Sequence, residues 1–517
     1  MHLKRVWRHA NYVGLILVLL TFYISSRSAH CSSIFLCSGT PHSHLKQNAG
    51  LSAASIRGAD TSAQYNVSSG VLRKAICLEL NWFWLDIPLT TLKQAFETAG
   101  VELIIVSNIE IEEAVERTTL PVEFLNGSNY ADIRAWKYKE YALWDLALGT
   151  ICRNHQVEPF DIVSDLVKWT PTIQETYQRT VQEIIVAEEL ISLHDPCLIL
   201  YVQGHVGFSA PLRALAKQEN LAVLSLENSM HKDKLVWDCV TGISTQSKQA
   251  QLLFDPQHID VEDSMGIIDE YFMHIGTLKM KQHESTSLHN SHEVLPPSMS
   301  NGKKKTVLFL GQVYNDAAVV FGLREAFASQ SHVLEQLTEI IDDMDANLVI
   351  RLHPKECSGI KGDDMERLTV HKLEEHVRKG YVRDIFPMFK NNTMKYTFDD
   401  CRTYVTYDLI RAADVVVTIN SQAGLEAAAL GKPLITVGEA FYSALEFCEV
   451  VSSPSELKIA VKQAIIENDH GKHQMLREQA VKFMYFYVYK YGMIRSAKAV
   501  FDKARWTISS RCGALPQ

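Results

Sequence analysis

Three apolar runs in the second half of the chain each end in a polar group that can do chemistry. The run 415–419 opens into Asn420-Ser421-Gln422-Ala423-Gly424. The run 347–350 leads to Arg351-Leu352-His353-Pro354-Lys355, and 306–311 leads to Gln312-Val313-Tyr314-Asn315-Asp316. After Gly424 comes a helical stretch, 425–430. It stops at Gly431 and feeds a second apolar run, 433–437. A loop at the carboxyl end of a strand and the amino end of a helix presents unpaired N–H groups and the positive end of the helix dipole, so it suits an anion. Ligands of open parallel sheets sit at that edge. The expected ligand is therefore phosphorylated and nucleotide-linked.

Each group also has a plain structural reading. Ser421 and Gly424 suit a helix cap and a tight turn in any α/β protein. Glu426, in the first turn of the helix, also complements the dipole. Pro354 ends its strand and biases His353 to an extended backbone, and the imidazole can donate to a phosphate oxygen. Arg351 alternates to the same side as His353, and Lys355 is a further cation at that end. Asp316 is either an N-cap for a helix over 317–328 or a carboxylate placed for nucleophilic attack. Gln312 and Asn315 are its polar neighbours. Asp343-Met344-Asp345 has the spacing of an Asp-x-Asp metal motif but precedes a strand, so no metal site is assigned.

These segments resemble a known family. The Gln-Val-Tyr-Asn-Asp316 strand end, Arg351-x-His353-Pro354, and 418–442 (Thr-Ile-Asn-Ser-x-x-Gly-Leu-Glu-Ala…Gly-Lys-Pro-x-Ile-Thr…Ala-Phe-Tyr) are similar to the bacterial capsular-polysaccharide synthesis proteins, which include retaining β-Kdo (3-deoxy-manno-octulosonic acid) transferases. In the first half, 198–202 followed by Gln203-Gly204-His205, then 224–226 with Glu227, then Asp238 and Gly242, resemble the family's strand–Gly loop, Glu and Asp–Gly pattern. The resemblance covers roughly 195–245 and 305–445. It implies a GT-B arrangement of two Rossmann-like, doubly wound α/β domains facing a cleft. It also implies a CMP-sugar donor held at His353 and the Asn420–Gly424 loop. Asp316 falls at the family's catalytic aspartate; a retaining transferase working by double displacement needs such a carboxylate beside the anomeric carbon. On the acceptor side, Glu227 and Asp238 are candidates for a base, or simply strand-end charges, and Gly204 and His205 are candidates to line the cleft. No cofactor is expected, because the CMP-sugar is a substrate, and metal dependence is left open. The alternatives are a CDP-polyol phosphotransferase and a catalytically inactive glycan-binding protein of the secretory pathway.

The rest of the chain must position these groups. Its 517 residues suit two or three domains. A net charge of −9 with no basic stripe argues against nucleic acid as a partner. Lys4, Arg5 and Arg8 precede an apolar run of about 13 residues at 12–24, short of the ~20 of a standard transmembrane helix. That pattern predicts a signal anchor over 1–25, or a cleaved signal peptide, with the amino terminus cytoplasmic. A polar stem over 26–72 follows. The expected setting is a single-pass Golgi or ER membrane with a lumenal catalytic domain, and secretion is the alternative. Asn66, Asn126 and Asn391 lie in glycosylation sequons. Ten scattered cysteines, none in a Cys-x-x-Cys pair, argue against a cysteine metal site and leave disulfides unassigned. Alternating strand and helix patterns predict an acceptor-side α/β domain over 73–275, a linker over 276–304, a donor-nucleotide α/β domain over 305–452 and closing helices over 453–517. The tyrosines at 485, 487, 489 and 491 repeat every second residue, which does not fit an α-helix.

Overall fold

The computed structural model describes residues 73–79, 82–120, 133–241, 243, 248–284, 295–300, 302, 304–314, 317–357, 367–390, 395–399, 404–467 and 470–511. The expected anchor and stem, the three sequons, Asn315, Asp316 and Gly242 lie outside the described residues. Among the described residues no helix is long and apolar enough to cross a membrane. Cys77, Cys152, Cys197, Cys239 and Cys448 are buried thiols.

The fold is mixed α/β with two largely parallel sheets. The amino-terminal unit contains β1 (Arg73–Leu78), β2 (Val101–Val106), the small hairpin β3 (Lys137–Tyr138) and β4 (Tyr141–Ala142), β5 (Leu198–Val202), β6 (Ala222–Asn228) and β7 (Lys234–Asp238). The carboxyl-terminal unit contains β8 (Lys305–Leu310), β9 (Ala346–Arg351), β10 (Tyr396–Asp399), β11 (Val415–Thr418), β12 (Leu434–Thr436) and β13 (Cys448–Val450); β14 (Met493–Ile494) follows. The first sheet has the order β14-β7-β6-β5-β1-β2. The strands from β6 to β2 run parallel, β7 is antiparallel to β6, and β14 is antiparallel to β7. The second sheet, β10-β9-β8-β11-β12-β13, is parallel throughout. Strands covered by helices on both faces have no solvent side to alternate toward. Accordingly β5 (LILYV), β9 (ANLVIR) and β11 (VVVT) are buried at every position.

The sequence pattern and the structure differ in two stretches. The helix Val261–Glu284 runs on into the region expected to be linker. Within the closing helices, an α-helix over His470–Tyr485 passes into a π-helix, Phe486–Tyr491, closed where Gly492 N–H donates to Tyr487 O at 2.9 Å. The wider π turn accounts for the odd tyrosine spacing. It stacks Tyr485 on Tyr489 and Tyr487 on Tyr491, with ring centroids 5.6 and 5.9 Å apart. The chain then leaves the carboxyl-terminal unit and returns to the first sheet. There β14 pairs with β7, and the helix Ala497–Arg511 packs Phe501 edge-on against Phe96 at 4.9 Å. The closing segment thus completes the amino-terminal unit.

The two units also meet through a buried polar turn. Glu158 caps the short helix Pro159–Val163, and both its oxygens accept from Gln330 N–H of the other unit, at 3.1 and 3.2 Å. Asp161 bonds His376 Nε2 at 2.7 Å, and Phe160 lies edge-on to His332, His376 and Tyr381. Burial, followed by the Asp161 charge, pushes the Glu158 carboxyl well above the usual carboxylate range.

Candidate functional site

Strand register brings the sequence-distant groups to one edge. Arg351 pairs with Leu310, Leu310 with Thr418, and Thr418 with Thr436. Two residues beyond this row stand His353, Gln312, Asn420 and Gly438, on four adjacent strands at the carboxyl edge of the second sheet. Side chains tie the loops together. Asn420 N–H donates to Gln312 Oε1 at 2.8 Å, and Asn420 Nδ2 donates to Glu439 O at 3.1 Å. Gln312 is clamped in turn by Gln330, which accepts from Gln312 N–H at 3.0 Å and donates to Gln312 O at 3.1 Å. The helix Ala317–Gly322, which begins directly after Asp316, is pinned to the same edge. Glu439 N–H donates to Gly322 O at 2.8 Å, and a Cβ on Gly322 would overlap the Asn420 amide. The Glu439 carboxylate holds two cations, Lys248 at 2.9 Å and Arg324 at 3.0 Å, and the Lys248 hydrogen bond leads in depressing its pKa.

Not every predicted donor-side residue reaches this edge. Arg351 is 1% exposed; its guanidinium donates to Asp399 and to Thr406 Oγ1 at 3.0 Å. It is an internal ion pair and adds no charge beside His353, because its β10 partner draws it under the sheet edge. Glu426 is likewise internal: its carboxylate accepts from Tyr407 at 2.9 Å and from Tyr271 at 3.2 Å. Those hydroxyls occupy the Glu426 oxygen expected to face a ligand. His353 is half-buried at the start of the turn Pro354–Cys357, and its carbonyl accepts from Glu356 N–H at 2.9 Å. The Lys355 side chain lies outside the described residues, as does Asp316.

Ser421 is the N-cap of the helix Gln422–Ala429, its hydroxyl accepting from Ala423 N–H at 3.2 Å. Gly424 lacks a side chain for a reason the sequence did not suggest. A Cβ there would overlap the Tyr442 hydroxyl, which donates to Ser421 O at 2.5 Å. The Phe-Tyr pair ending the long motif is thus the floor of the loop: Tyr442 fills the space under Gly424, and Phe441 stacks on Tyr487 of the π-helix at 4.3 Å. Gly424→Ala should lower the melting temperature by several degrees, since overpacking costs about 1–3 kcal/mol. Gly424→Ala with Tyr442→Phe should recover much of that loss in a thermal melt. A double variant no more stable than the single one contradicts this role for the glycine.

Across from this edge is the loop that follows β5. Gln203 (φ 69°), Gly204 (φ 89°) and Gly207 (φ 55°) all take left-handed conformations, and Gly204 N–H bonds back to Val202 O at 3.0 Å. His205 is 3% exposed and lies edge-on to Phe321 of the carboxyl-terminal unit, with centroids 5.9 Å apart. His205 thus meets the second unit through Phe321. Glu227 is half-buried at the end of β6, with Oε1 accepting from Asn228 N–H at 3.0 Å. Asp238 is fully buried and cannot act as an acceptor-side base as placed: its Oδ1 accepts from Val240 N–H at 3.0 Å, Thr241 N–H at 2.6 Å and Thr241 Oγ1 at 3.0 Å, closing the turn after β7. Asp343 and Asp345 pair with Lys458 and Lys304. Among the described residues no group of three His, Cys, Asp or Glu could hold a metal ion.

Residues 249–446 match the family model described as capsule polysaccharide biosynthesis protein. That stretch, less than half of the chain, is similar to the capsule polysaccharide biosynthesis family. The match contains the whole carboxyl-edge row, while the first-half resemblance at 195–245 lies outside it. A curated relative, the capsule polysaccharide modification protein LipA of Neisseria meningitidis, is 26% identical over 163 residues, 32% of this chain; the matched part spans only 19% of the relative's length. Similar solved structures include the β-Kdo 2,4 transferase KpsC of Thermosulfurimonas dismutans (15% identity, 60% of this chain and 87% of that chain, TM-score 0.34). The UDP-GlcNAc 2-epimerase of Methanocaldococcus jannaschii is another (12% identity, 77% and 94%, TM-score 0.30).

Proposed function

We propose that this protein is a glycosyltransferase that moves an ulosonic acid, Kdo, from a CMP-sugar to a glycan acceptor with retention of configuration. The observation that carries the reading is the aligned row of His353, Gln312 and Asn420 at one sheet edge, within a stretch matched by the capsule family model. The helix Gln422–Ala429 points its amino end at this edge, where it suits the nucleotide phosphate, and His353 adds a ring donor. In sequence Asp316 directly precedes the helix Ala317–Gly322, whose far end is tied to the same loops. Its carboxylate would attack the anomeric carbon as CMP leaves, and the acceptor hydroxyl would then displace it.

Incubating the protein with CMP-Kdo, CMP-sialic acid and CDP-glycerol and following nucleotide release tests the reading; release from CDP-glycerol alone would replace it with a polyol phosphotransferase. His353→Ala should weaken CMP binding by about tenfold to a hundredfold, the worth of one charge-assisted hydrogen bond of roughly 1.5–3 kcal/mol. Unchanged CMP affinity in a folded His353→Ala protein removes this residue from the donor site.

A further inference from the structure

Gln330 stands where the amino-terminal unit meets two loops of the carboxyl edge. It is the first residue of the helix Gln330–Asp342, so its N–H has no intrahelical acceptor. The Glu158 carboxyl of the amino-terminal unit supplies one, its two oxygens accepting at 3.1 and 3.2 Å. The Gln330 side chain reaches the other way. Its Oε1 accepts from Gln312 N–H at 3.0 Å, and its Nε2 donates to Gln312 O and to Thr369 Oγ1, both at 3.1 Å. One branch therefore ends on Gln312, whose own side chain accepts from Asn420 N–H at 2.8 Å. The other runs through Thr369 to Glu356. Thr369 Oγ1 donates to Glu356 Oε1 at 2.7 Å, and Thr369 N–H donates to Glu356 Oε2 at 3.0 Å. Glu356 N–H in turn donates to His353 O at 2.9 Å.

These groups are held in one arrangement. Glu158, Gln330 and Glu356 are fully buried. The Gln330 amide oxygen and both its N–H donors are engaged, and turned over it would set its NH₂ against Gln312 N–H. The Thr369 hydroxyl can accept from Gln330 because its own proton goes to Glu356. Glu158 also hydrogen-bonds the hydroxyl of Tyr314, which lies in the same loop as Gln312. A fully satisfied buried network rigidifies what it joins, and removing one member leaves other groups unpaired in the interior. Here it joins the amino-terminal unit to the loops bearing Gln312 and His353.

We propose that Glu158 and Gln330 are positioning residues of the donor edge, holding the Gln312 and His353 loops in place from the amino-terminal unit. Docking of the two units and order in the donor loops are thereby linked. The donor assignment rests on the transferase reading, whereas the link from Glu158 to the loops does not.

Hydrogen exchange of the full chain, read by mass spectrometry, and calorimetric titration with CMP test this together. Glu158→Leu and Gln330→Met should each raise amide exchange over 311–314, 352–357 and 419–421 by about tenfold and weaken CMP binding by about tenfold, the effect of one buried hydrogen bond left unmade. The strands β1 and β2 should keep wild-type exchange. Should Glu158→Leu fail to fold, Glu158→Asp, one methylene short of Gln330 N–H, takes its place with the same expected result. Burial, then the Asp161 charge, favours the protonated Glu158 carboxyl, and glutamine is its isostere. Glu158→Gln should therefore recover both protection and CMP affinity to within about twofold of the wild type. Wild-type protection of the loops in folded Glu158 and Gln330 variants overturns the link. So does exchange that rises evenly over the whole chain, or a Glu158→Gln protein no better than Glu158→Leu. Loosened loops with unchanged CMP affinity, in a protein that binds CMP, overturn the positioning role. Loosened loops in a protein unable to bind CMP would sink the donor reading and leave the link standing.

Discussion

Asp399→Ala should destabilise the carboxyl-terminal unit by about 3–5 kcal/mol, the cost of leaving one member of a buried ion pair unpaired. Asp399 and Arg351 face each other in the register of β10 and β9, with side chains 0% and 1% exposed. The guanidinium already has one nitrogen, Nε, buried without a hydrogen bond, and among the described residues it keeps only Thr406 as a hydrogen-bond partner when the carboxylate goes. Denaturant unfolding followed by circular dichroism reads the change. Replacing both partners, Arg351→Met with Asp399→Leu, should recover most of the loss, because apolar substitutes for a buried pair are often neutral or stabilising. The double variant should also bind CMP as the wild type does. A CMP affinity that falls tenfold in the stable double variant would return Arg351 to the donor site, and a loss below about 1 kcal/mol in Asp399→Ala would deny the pair its structural role.

Asp316→Asn should reduce transfer by about 10⁶-fold, the scale seen when a catalytic nucleophile is removed, with melting temperature and CMP affinity nearly unchanged. Asparagine keeps the size and most hydrogen bonding of aspartate but lacks its charge. The experiment separates the two roles open to Asp316, because Asn and Asp cap helices about equally well. Near-normal turnover would assign Asp316 to capping the helix Ala317–Gly322 and leave the chemistry without its nucleophile. Trapping a glycosyl-enzyme with a slow donor analogue, then locating the adduct by mass spectrometry, gives an independent readout. An adduct on any other residue removes Asp316 from the mechanism.

The sequence by itself determined the local elements and the edge at which chemistry would sit. Apolar β-branched runs such as 415–419 can be buried on both faces only in a helix-covered sheet, so β8, β9 and β11 were legible, as were the loops beyond them. Once those strands pair in parallel and in register, Gln312, His353 and Asn420 must fall at one edge. Which of the neighbouring polar residues face a ligand was decided only in the tertiary structure, because each choice depends on a partner far along the chain. Alternation put Arg351 on the side of His353, but Asp399, 48 residues away, holds it inside. Glu426 sits on the expected helix, though beyond its first turn, and Tyr271, 155 residues away, has its oxygen. Gly424 looks like an opening for phosphate, but Tyr442 fills the space beneath it. Periodicity reports a residue's own secondary structure and which face it occupies. A buried polar group must also be hydrogen-bonded, and whether protein or ligand meets that need is settled by long-range packing.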